Sequence, residues 1–229
     1  METCERQEND TESDGAAEEL TFTFDQLSER AKDHARDNHR TTYPPEHDWW
    51  EHVYEEAVRF GALIGINVDT YARKTKSGHV FHEPRIHFSG FGMQGEGASF
   101  VGNYRYVPDA VNAIKQETDD EELLSIAQRL TMMQLTHRLL GLEPFGASIN
   151  TRGNYSHSGT MYVETIHADD DGIDFTTLPE IEDEVQQLMR DFADWIFGNL
   201  EAENEYLNSD EYIDERLSDD SFDERGELV

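Results

Sequence analysis

The stretch FSGFGMQGEGASFVGNYRY, residues 88–106, holds five glycines between Gly90 and Gly102. Gly90 to Gly95 match the G-x-G-x-x-G spacing of dinucleotide-binding loops, which lie between a strand and a helix. The residues that follow here, ASFVGNYRYV, favour a second strand instead. We therefore predict a glycine-rich turn in an antiparallel hairpin, where glycine permits positive φ and close backbone approach.

The sequence on both sides of this hairpin predicts an α+β fold of antiparallel β-hairpins packed against amphipathic helices, with disordered acidic termini. Apolar residues at helical spacing predict helices, and alternating runs predict strands. Predicted helices cover 27–40, 48–65, 109–117, 122–140, 181–207 and 209–217, and predicted strands cover 20–24, 66–73, 79–91, 98–107, 145–153, 159–168 and 172–178. We predict a disordered acidic tail (1–19), a single α+β domain (20–207), and a short helix with an acidic tail (208–229).

The charge balance is strongly acidic. The 229 residues carry 50 acidic and 18 basic side chains, a net charge of −32, and only four of the basic residues are lysine. A lysine-poor, acidic surface is typical of proteins that work in molar salt, where counterions screen self-repulsion. We expect a halophilic protein that unfolds partially in dilute buffer. An alternative is a DNA mimic whose carboxylates stand in for phosphates.

The cellular location follows from what the sequence contains. Cys4 is the single cysteine, so neither an intrachain disulfide nor a cysteine-rich zinc site is expected. Residues 1–19 have no apolar run that would predict a signal peptide, and no apolar cluster is long enough to span a bilayer. We expect a soluble protein of the cytoplasm.

Several motifs resemble one family of proteins. The motifs are Phe24-Asp25-Gln26-Leu27-Ser28-Glu29-Arg30-Ala31-Lys32-Asp33-His34-Ala35-Arg36, then Trp49-Trp50, the glycine stretch Phe88 to Phe100, Arg152-Gly153-x-Tyr155-x-His157, and Glu201 to Glu211. Together they resemble uncharacterised proteins of tailed phages, prophages and archaeal viruses, some of which are labelled antitoxin. The resemblance covers roughly residues 20–215. It implies a viral or proviral origin, and it supplies no established activity or catalytic residues.

Two polar stretches supply the candidate binding residues. The first is the glycine-rich turn, and the second is the polar loop at 152–157, which we expect to contact anions with its arginine and histidine facing Arg105. Gln94 and Glu96 are the leading candidates, because a turn that needs only flexibility has no use for their side chains. The full set is Ser89, Gly90, Gln94, Gly95, Glu96, Gly97, Ser99, Arg105, Arg152 and His157.

No metal, cofactor or catalytic residue is predicted. His79, His82 and His87 with Glu83 contain metal-binding residue types, but a strand would place them on different faces. His157 lies directly beside two serines, and adjacent residues rarely form a nucleophile–base pair. Neither a G-x-S-x-G elbow nor a G-K-[ST] loop occurs.

These observations leave three functional hypotheses. The first is a non-enzymatic accessory protein that binds a host or viral protein through the 88–106 hairpin. The second is an enzyme or sensor of a small anionic ligand, such as a nucleotide, at the same loop, because residues 70–105 hold more basic than acidic residues. The third is the DNA mimic. Direct nucleic-acid binding and membrane binding are not expected from so acidic a chain.

Overall fold

The computed structural model describes residues 20–75, 77–153, 156–167 and 179–229. They divide into two compact units. The central unit is Glu46–Tyr206, and the terminal unit combines the residues up to Pro45 with Leu207–Val229. The residues predicted as one domain, 20–207, fall in both units. The predicted tail 1–19 and the predicted strand 172–178 lie outside the described residues.

Helices and antiparallel strands alternate in groups along the chain, which confirms the predicted α+β fold. The elements are β1 (Phe22–Thr23), α1 (Glu29–Thr42), α2 (Glu51–Leu63), β2 (Ile66–Val68), β3 (Thr70–Lys74), β4 (Val80–Pro84), β5 (Ile86–Phe88), β6 (Ala98–Phe100), β7 (Gly102–Tyr104), α3 (Ala110–Glu117), α4 (Glu121–Leu139), β8 (Phe145–Thr151), β9 (Met161–His167), α5 (Pro179–Leu207), α6 (Asp210–Leu217) and β10 (Ser221–Phe222).

The central unit is built on a four-stranded antiparallel sheet in the order β2-β7-β8-β9. One face of the sheet is buried under α4 and α5. From α4, the Gln134 amide donates to the Phe145 carbonyl oxygen at 2.8 Å, and from α5 the Arg190 guanidinium donates to the Met161 carbonyl oxygen at 3.1 Å. The side chains of this core include Ile66, Tyr104, Phe145, Ala147, Ile149, Met161, Leu130, Leu188 and Phe192.

Three predicted strands are each interrupted at one residue. The breaks fall at Asp69, Arg85 and Val101, between β2 and β3, β4 and β5, and β6 and β7. Backbone hydrogen bonds join the three break points, from Asp69 N to Val101 O (2.9 Å), from Val101 N to Arg85 O (3.0 Å), and from Arg85 N to Asp69 O (2.7 Å). The polar groups at the breaks are therefore paired, which lets each strand change partner there.

The terminal unit joins α1 to α6. Ser28 begins α1 as its N-cap, because its Oγ accepts from Ala31 N at 3.3 Å. Arg36 on α1 makes two hydrogen bonds of 2.7 Å to the Asp214 carboxylate on α6. Phe24, Leu27, Ala31 and Ala35 form the core of this unit together with Ile213, Leu217 and Phe222.

The C-terminal residues differ from the predicted acidic tail. Ser221–Phe222 pair antiparallel with Phe22–Thr23, and the Phe222 side chain is fully buried. The Asp223 carboxylate accepts from the backbone N–H groups of Arg225 and Glu227, which closes a tight turn before the last residues. The charge of this segment alone predicts a disordered tail. The segment is ordered because Phe222 is buried and the turn is capped by Asp223.

Candidate functional site

The glycine-rich stretch is a turn between two antiparallel strands, as predicted. Strand β5 pairs with β6 in the register Ile86↔Phe100 and Phe88↔Ala98, so residues 89–97 form the loop. Phe88 therefore does not pair with Phe100, and Ile86 does not pair with Tyr104, although the bounds of the two predicted strands would allow either pairing. A Phe88–Phe100 pair would leave residues 89–99 in the loop, so the observed loop is two residues shorter, and Tyr104 pairs with Ile66 and Ala147 in the larger sheet.

Ser89 closes the base of the loop. Its backbone N donates to Gly97 O at 3.1 Å, and its Oγ accepts from Gly97 N at 3.3 Å. The same hydroxyl donates to the carbonyl oxygen of Ser156 at 3.1 Å. Ser89 therefore ties the glycine loop to the 152–160 turn, so the two polar stretches identified in the sequence meet in the structure.

Glu96 organises the tip of the loop. Its carboxylate accepts from the Met93 backbone N–H, and its own N–H donates to the Met93 carbonyl oxygen at 3.3 Å. A Cβ at Gly90 would lie 3.0 Å from Glu96 Oε1. Gly95 has a φ of +90°, which glycine adopts without strain. The carboxylate of Glu96 thus occupies the backbone donor that an anionic ligand would need.

The 152–160 turn is packed against the loop through His157. The position of a Cβ on Gly97 lies 3.1 Å from His157 Cδ2, so only glycine fits there without displacing the imidazole. His157 Nδ1 accepts from Gly159 N at 2.8 Å, and the Ser158 side chain is buried. The imidazole nitrogen that faces the turn is engaged by backbone, which gives His157 a role in shaping the turn.

Aromatic rings pack against the two phenylalanines at the start of the loop, Phe88 and Phe91. Phe88 lies 5.8 Å from Trp49 and 5.7 Å from Trp50, centroid to centroid, and Phe91 stacks on Phe88 at 5.7 Å and on Phe197 at 5.3 Å. Burial raises the pKa of the neighbouring Tyr54 phenol, whose ring also meets Phe88. We call Trp49, Trp50, Phe88, Phe91 and Phe197 the aromatic cluster.

The tip of the loop carries exposed side chains. Met93 is 77% exposed, and Gln94 is also exposed. Within the described residues, the Gln94 side chain has no hydrogen-bond partner. Hydrogen bonds close the base of the loop and aromatic rings support it, whereas its tip is exposed. Met93 and Gln94 are therefore held in a fixed position at the surface.

The structure brings together most of the predicted binding residues, and it separates others. Ser89, Gly90, Glu96, Gly97 and His157 are in contact as described, with Gln94 and Gly95 at the tip. Ser99 is buried in β6 opposite His87, so it lies beneath the loop and not on its surface. Burial, assisted by the charge of Arg85, lowers the pKa of that His87.

The expectation that Arg152 and His157 face Arg105 is wrong. Tyr104 pairs with Ala147, so Arg105 lies beside Gly146, whereas Arg152 follows the other end of β8. From Gly146 to Arg152 is six residue steps along the strand direction, or about 20 Å. Both arginines instead lie along the face of the sheet away from α4 and α5, where the Arg152 guanidinium stacks over Tyr162 at 4.5 Å.

The sequence reasoning missed part of the site. It placed Trp49 and Trp50 in the predicted helix 48–65 and did not connect them to the glycine loop. The signal was present in Phe88 and Phe91, the two phenylalanines of F-S-G-F, because large aromatic side chains are usually buried against other apolar groups. Met93 was also missed, since an exposed methionine is visible only in three dimensions.

The histidines outside the loop do not gather around a common point. Glu83 pairs with Arg73 at 2.7 Å. Among the described residues, no group of three or more His, Cys, Asp or Glu side chains is arranged to hold a metal ion. No helix in the described part of the chain is long and apolar enough to cross a membrane.

Comparison with known proteins gives one family. No curated protein and no solved structure matches the chain. The family described as a domain of unknown function, DUF8835, matches residues 49–210. This range covers almost all of the central unit, Glu46–Tyr206, with its aromatic cluster and glycine loop. Because the match spans more than half of the sequence, the chain belongs to the DUF8835 family.

Proposed function

We propose that this chain is a non-enzymatic accessory protein of viral or proviral origin, adapted to high salt, which binds a host or viral protein in the cytoplasm of the host cell. The binding surface is the tip of the glycine loop, Met93 and Gln94, with the adjoining 156–159 turn. The antitoxin label of some similar proteins is compatible with such a binder.

One observation supports this proposal: the tip of the loop is exposed, and the loop below it is held in one conformation. The loop is closed by Ser89, supported by the aromatic cluster and internally capped by Glu96. Its exposed methionine is of the residue type enriched at protein interfaces. A loop ordered before binding loses little entropy when a partner docks, so a small contact area can suffice.

The capping role of Glu96 favours a protein partner over a small anion. A phosphate would approach the loop through its backbone N–H groups. The Met93 N–H is already bound by the Glu96 carboxylate, whose negative charge repels a second anion. Thermal-shift measurements against a panel of nucleotides in molar KCl test this point, and a saturable increase in melting temperature would favour the small-ligand alternative.

Affinity capture from host lysate in molar KCl tests the proposal directly. The double variant Met93→Ser, Gln94→Ala removes the tip side chains without touching the loop anchors. Met132→Ser is the matched control, because Met132 is 63% exposed on α4 and has no part in the loop. We expect a protein retained by the wild type and by Met132→Ser and lost with the tip variant.

Two outcomes would overturn the proposal. Retention of the same protein by the tip variant would show that another surface binds it. An empty capture together with a nucleotide-dependent thermal shift would assign the loop to a small ligand.

A further inference from the structure

The four-stranded sheet has a second face, opposite the one buried under α4 and α5. Side chains alternate along each strand, so the neighbours of the buried residues point to this face. We call it the open face. Its residues, all partly or fully exposed, are Asn67, Arg105, Asn103, Ser148, Asn150, Arg152, Tyr162, Glu164 and Ile166.

Polar groups form the centre of the open face, and one of them is charged, the Glu164 carboxylate opposite Ser148. Asn67 lies opposite Asn103, Asn103 opposite Ser148, and Asn150 opposite Tyr162. The Asn150 amide donates to Ser148 Oγ at 3.0 Å, and the Asn67 amide donates to Gly65 O at 3.2 Å. Each amide keeps further donor and acceptor capacity, because a side-chain amide offers two N–H groups and two lone pairs.

Arginines stand at opposite ends of this polar centre. Among the described residues, neither Arg105 nor Arg152 has an acidic partner, although the chain holds 50 acidic residues. Arg36, Arg40, Arg59, Arg73 and Arg129 are paired with carboxylates, whereas Arg138 on α4, like Arg105 and Arg152, has no ion pair among the described residues. Glu164 is the one acidic side chain among the described residues of the open face. The face is thus locally cationic on an acidic molecule.

The dimensions of the face suit an extended polymer. Arg105 and Arg152 stand about 20 Å apart along β8, by strand rise. This length spans about six nucleotides stacked at ~3.4 Å. Beside Arg152, the Tyr162 ring and the guanidinium form a stacked pair with a flat surface. Aromatic rings and arginine planes of this kind stack with unpaired bases.

We propose that the open face binds a short single-stranded segment of nucleic acid. Arg105 and Arg152 contact phosphates, the Arg152–Tyr162 pair stacks with a base, and Asn103 and Asn150 hydrogen-bond to base edges between them. This site is separate from the glycine loop, and it does not depend on the partner proposed there. The net charge of the chain argued against nucleic-acid binding, but the net charge of the whole chain differs from the local charge of this face.

High salt makes such binding possible on an acidic chain. The Debye length falls to about 3 Å in molar salt, so acidic residues elsewhere no longer repel the polymer. Stacking and base-edge contacts persist. We therefore expect the affinity to hold or rise as KCl increases toward molar concentration, opposite to the fall that phosphate-dominated binding shows.

Fluorescence anisotropy with labelled single-stranded DNA and RNA oligonucleotides of about twelve residues tests the proposal in molar KCl. The variants are Arg105→Gln with Arg152→Gln, and Tyr162→Ala separately. Arg138→Gln is the matched control, because Arg138 is an exposed arginine on α4 with no ion pair among the described residues. We expect saturable binding by the wild type and Arg138→Gln, and binding at least about tenfold weaker for the other variants.

Two further sets of variants serve as a reserve and as a control. Asn103→Asp and Asn150→Asp place negative charge on the face without shortening a side chain, and they serve if the arginine variants fold poorly. The loop variant Met93→Ser, Gln94→Ala should bind oligonucleotide like the wild type. No saturable signal, unchanged affinity in the face variants, equal binding of duplex DNA, or binding of an acidic oligosaccharide in place of nucleic acid would each overturn the proposal.

Discussion

The His157 imidazole occupies the space beside Gly97 that a side chain at that position would need, with Cδ2 3.1 Å from the place of a Cβ. We expect Gly97→Ala to lower the free energy of unfolding by about 1–3 kcal/mol, the usual cost of overpacking. Denaturant unfolding in molar KCl measures it.

The contact between these two residues can be isolated with a double-mutant cycle. His157→Ala removes the ring, so Gly97→Ala should cost much less in that background. An equal cost in both backgrounds would show that the strain at position 97 has another source.

Gly226 and Gly78 give a second matched pair. Both have positive φ, +89° and +90°, but a Cβ on Gly226 would lie 2.1 Å from the Ala31 carbonyl oxygen, while one on Gly78 has open space. Gly78→Ala should cost about 1–2 kcal/mol from backbone strain alone. Gly226→Ala should cost about 1–3 kcal/mol more, because the C-terminal turn must move off α1. Equal losses in thermal unfolding would contradict this packing.

Arg36 tests the pairing of α1 with α6. Its side chain is 12% exposed, the Asp214 carboxylate raises its pKa, and it also lies over the Phe24 ring. Arg36→Lys keeps the charge but loses the two-pronged contact, so we expect a loss of about 1–3 kcal/mol. Arg30→Lys, at an exposed position of the same helix, should be neutral. Faster amide exchange in α1 for the Arg36 variant alone is the expected readout.

The terminal unit should weaken as the pH falls. Burial, with the nearby charge of Arg216, lowers the pKa of His39 below its ordinary value of 6.5, although Asp220 opposes the shift. The folded state therefore favours the neutral imidazole. Its contribution is present above pH 6.5 and is lost as the pH falls through the lower folded-state pKa.

His39→Phe keeps a ring against Tyr43, which the imidazole contacts at 5.5 Å, and cannot titrate. We expect it to lose less stability than the wild type between about pH 7 and pH 5.5, where few carboxylates titrate. His34→Gln, on the exposed side of α1, is the control. Parallel stability curves for the wild type and His39→Phe would disprove the role of His39.

Local signals predicted the helices well. The apolar spacings that predicted helices at 27–40, 122–140 and 181–207 act over a few residues, and the structure contains the corresponding helices α1, α4 and α5. The helix predicted at 48–65 is shorter, Glu51–Leu63: Trp49 and Trp50 lie in the turn before it and pack against Phe88, and Gly65 has a positive φ after it. The glycine loop was recognised from the strand-like residues on both sides of it.

Long-range pairing was not accessible from sequence. The register of β5 and β6 depends on the loop closure by Ser89 and Gly97, which no local pattern encodes. Strand β10 pairs with residues about 200 positions earlier in the chain. The sequence around β10 therefore gives no signal for this pairing. The position of Arg105 required knowledge of which strand lies beside β7, and the sequence alone placed it with Arg152.

The terminal unit also restrains the chain between its two segments. While it stays folded, the 161 residues from Glu46 to Tyr206 can unfold only as a closed loop. Closing a loop of that length removes about 4–5 kcal/mol of chain entropy from the unfolded state. The pairing of α1 with α6 thus acts as a noncovalent cross-link, and cutting away residues 207–229 would destabilise the central unit without removing any of its residues.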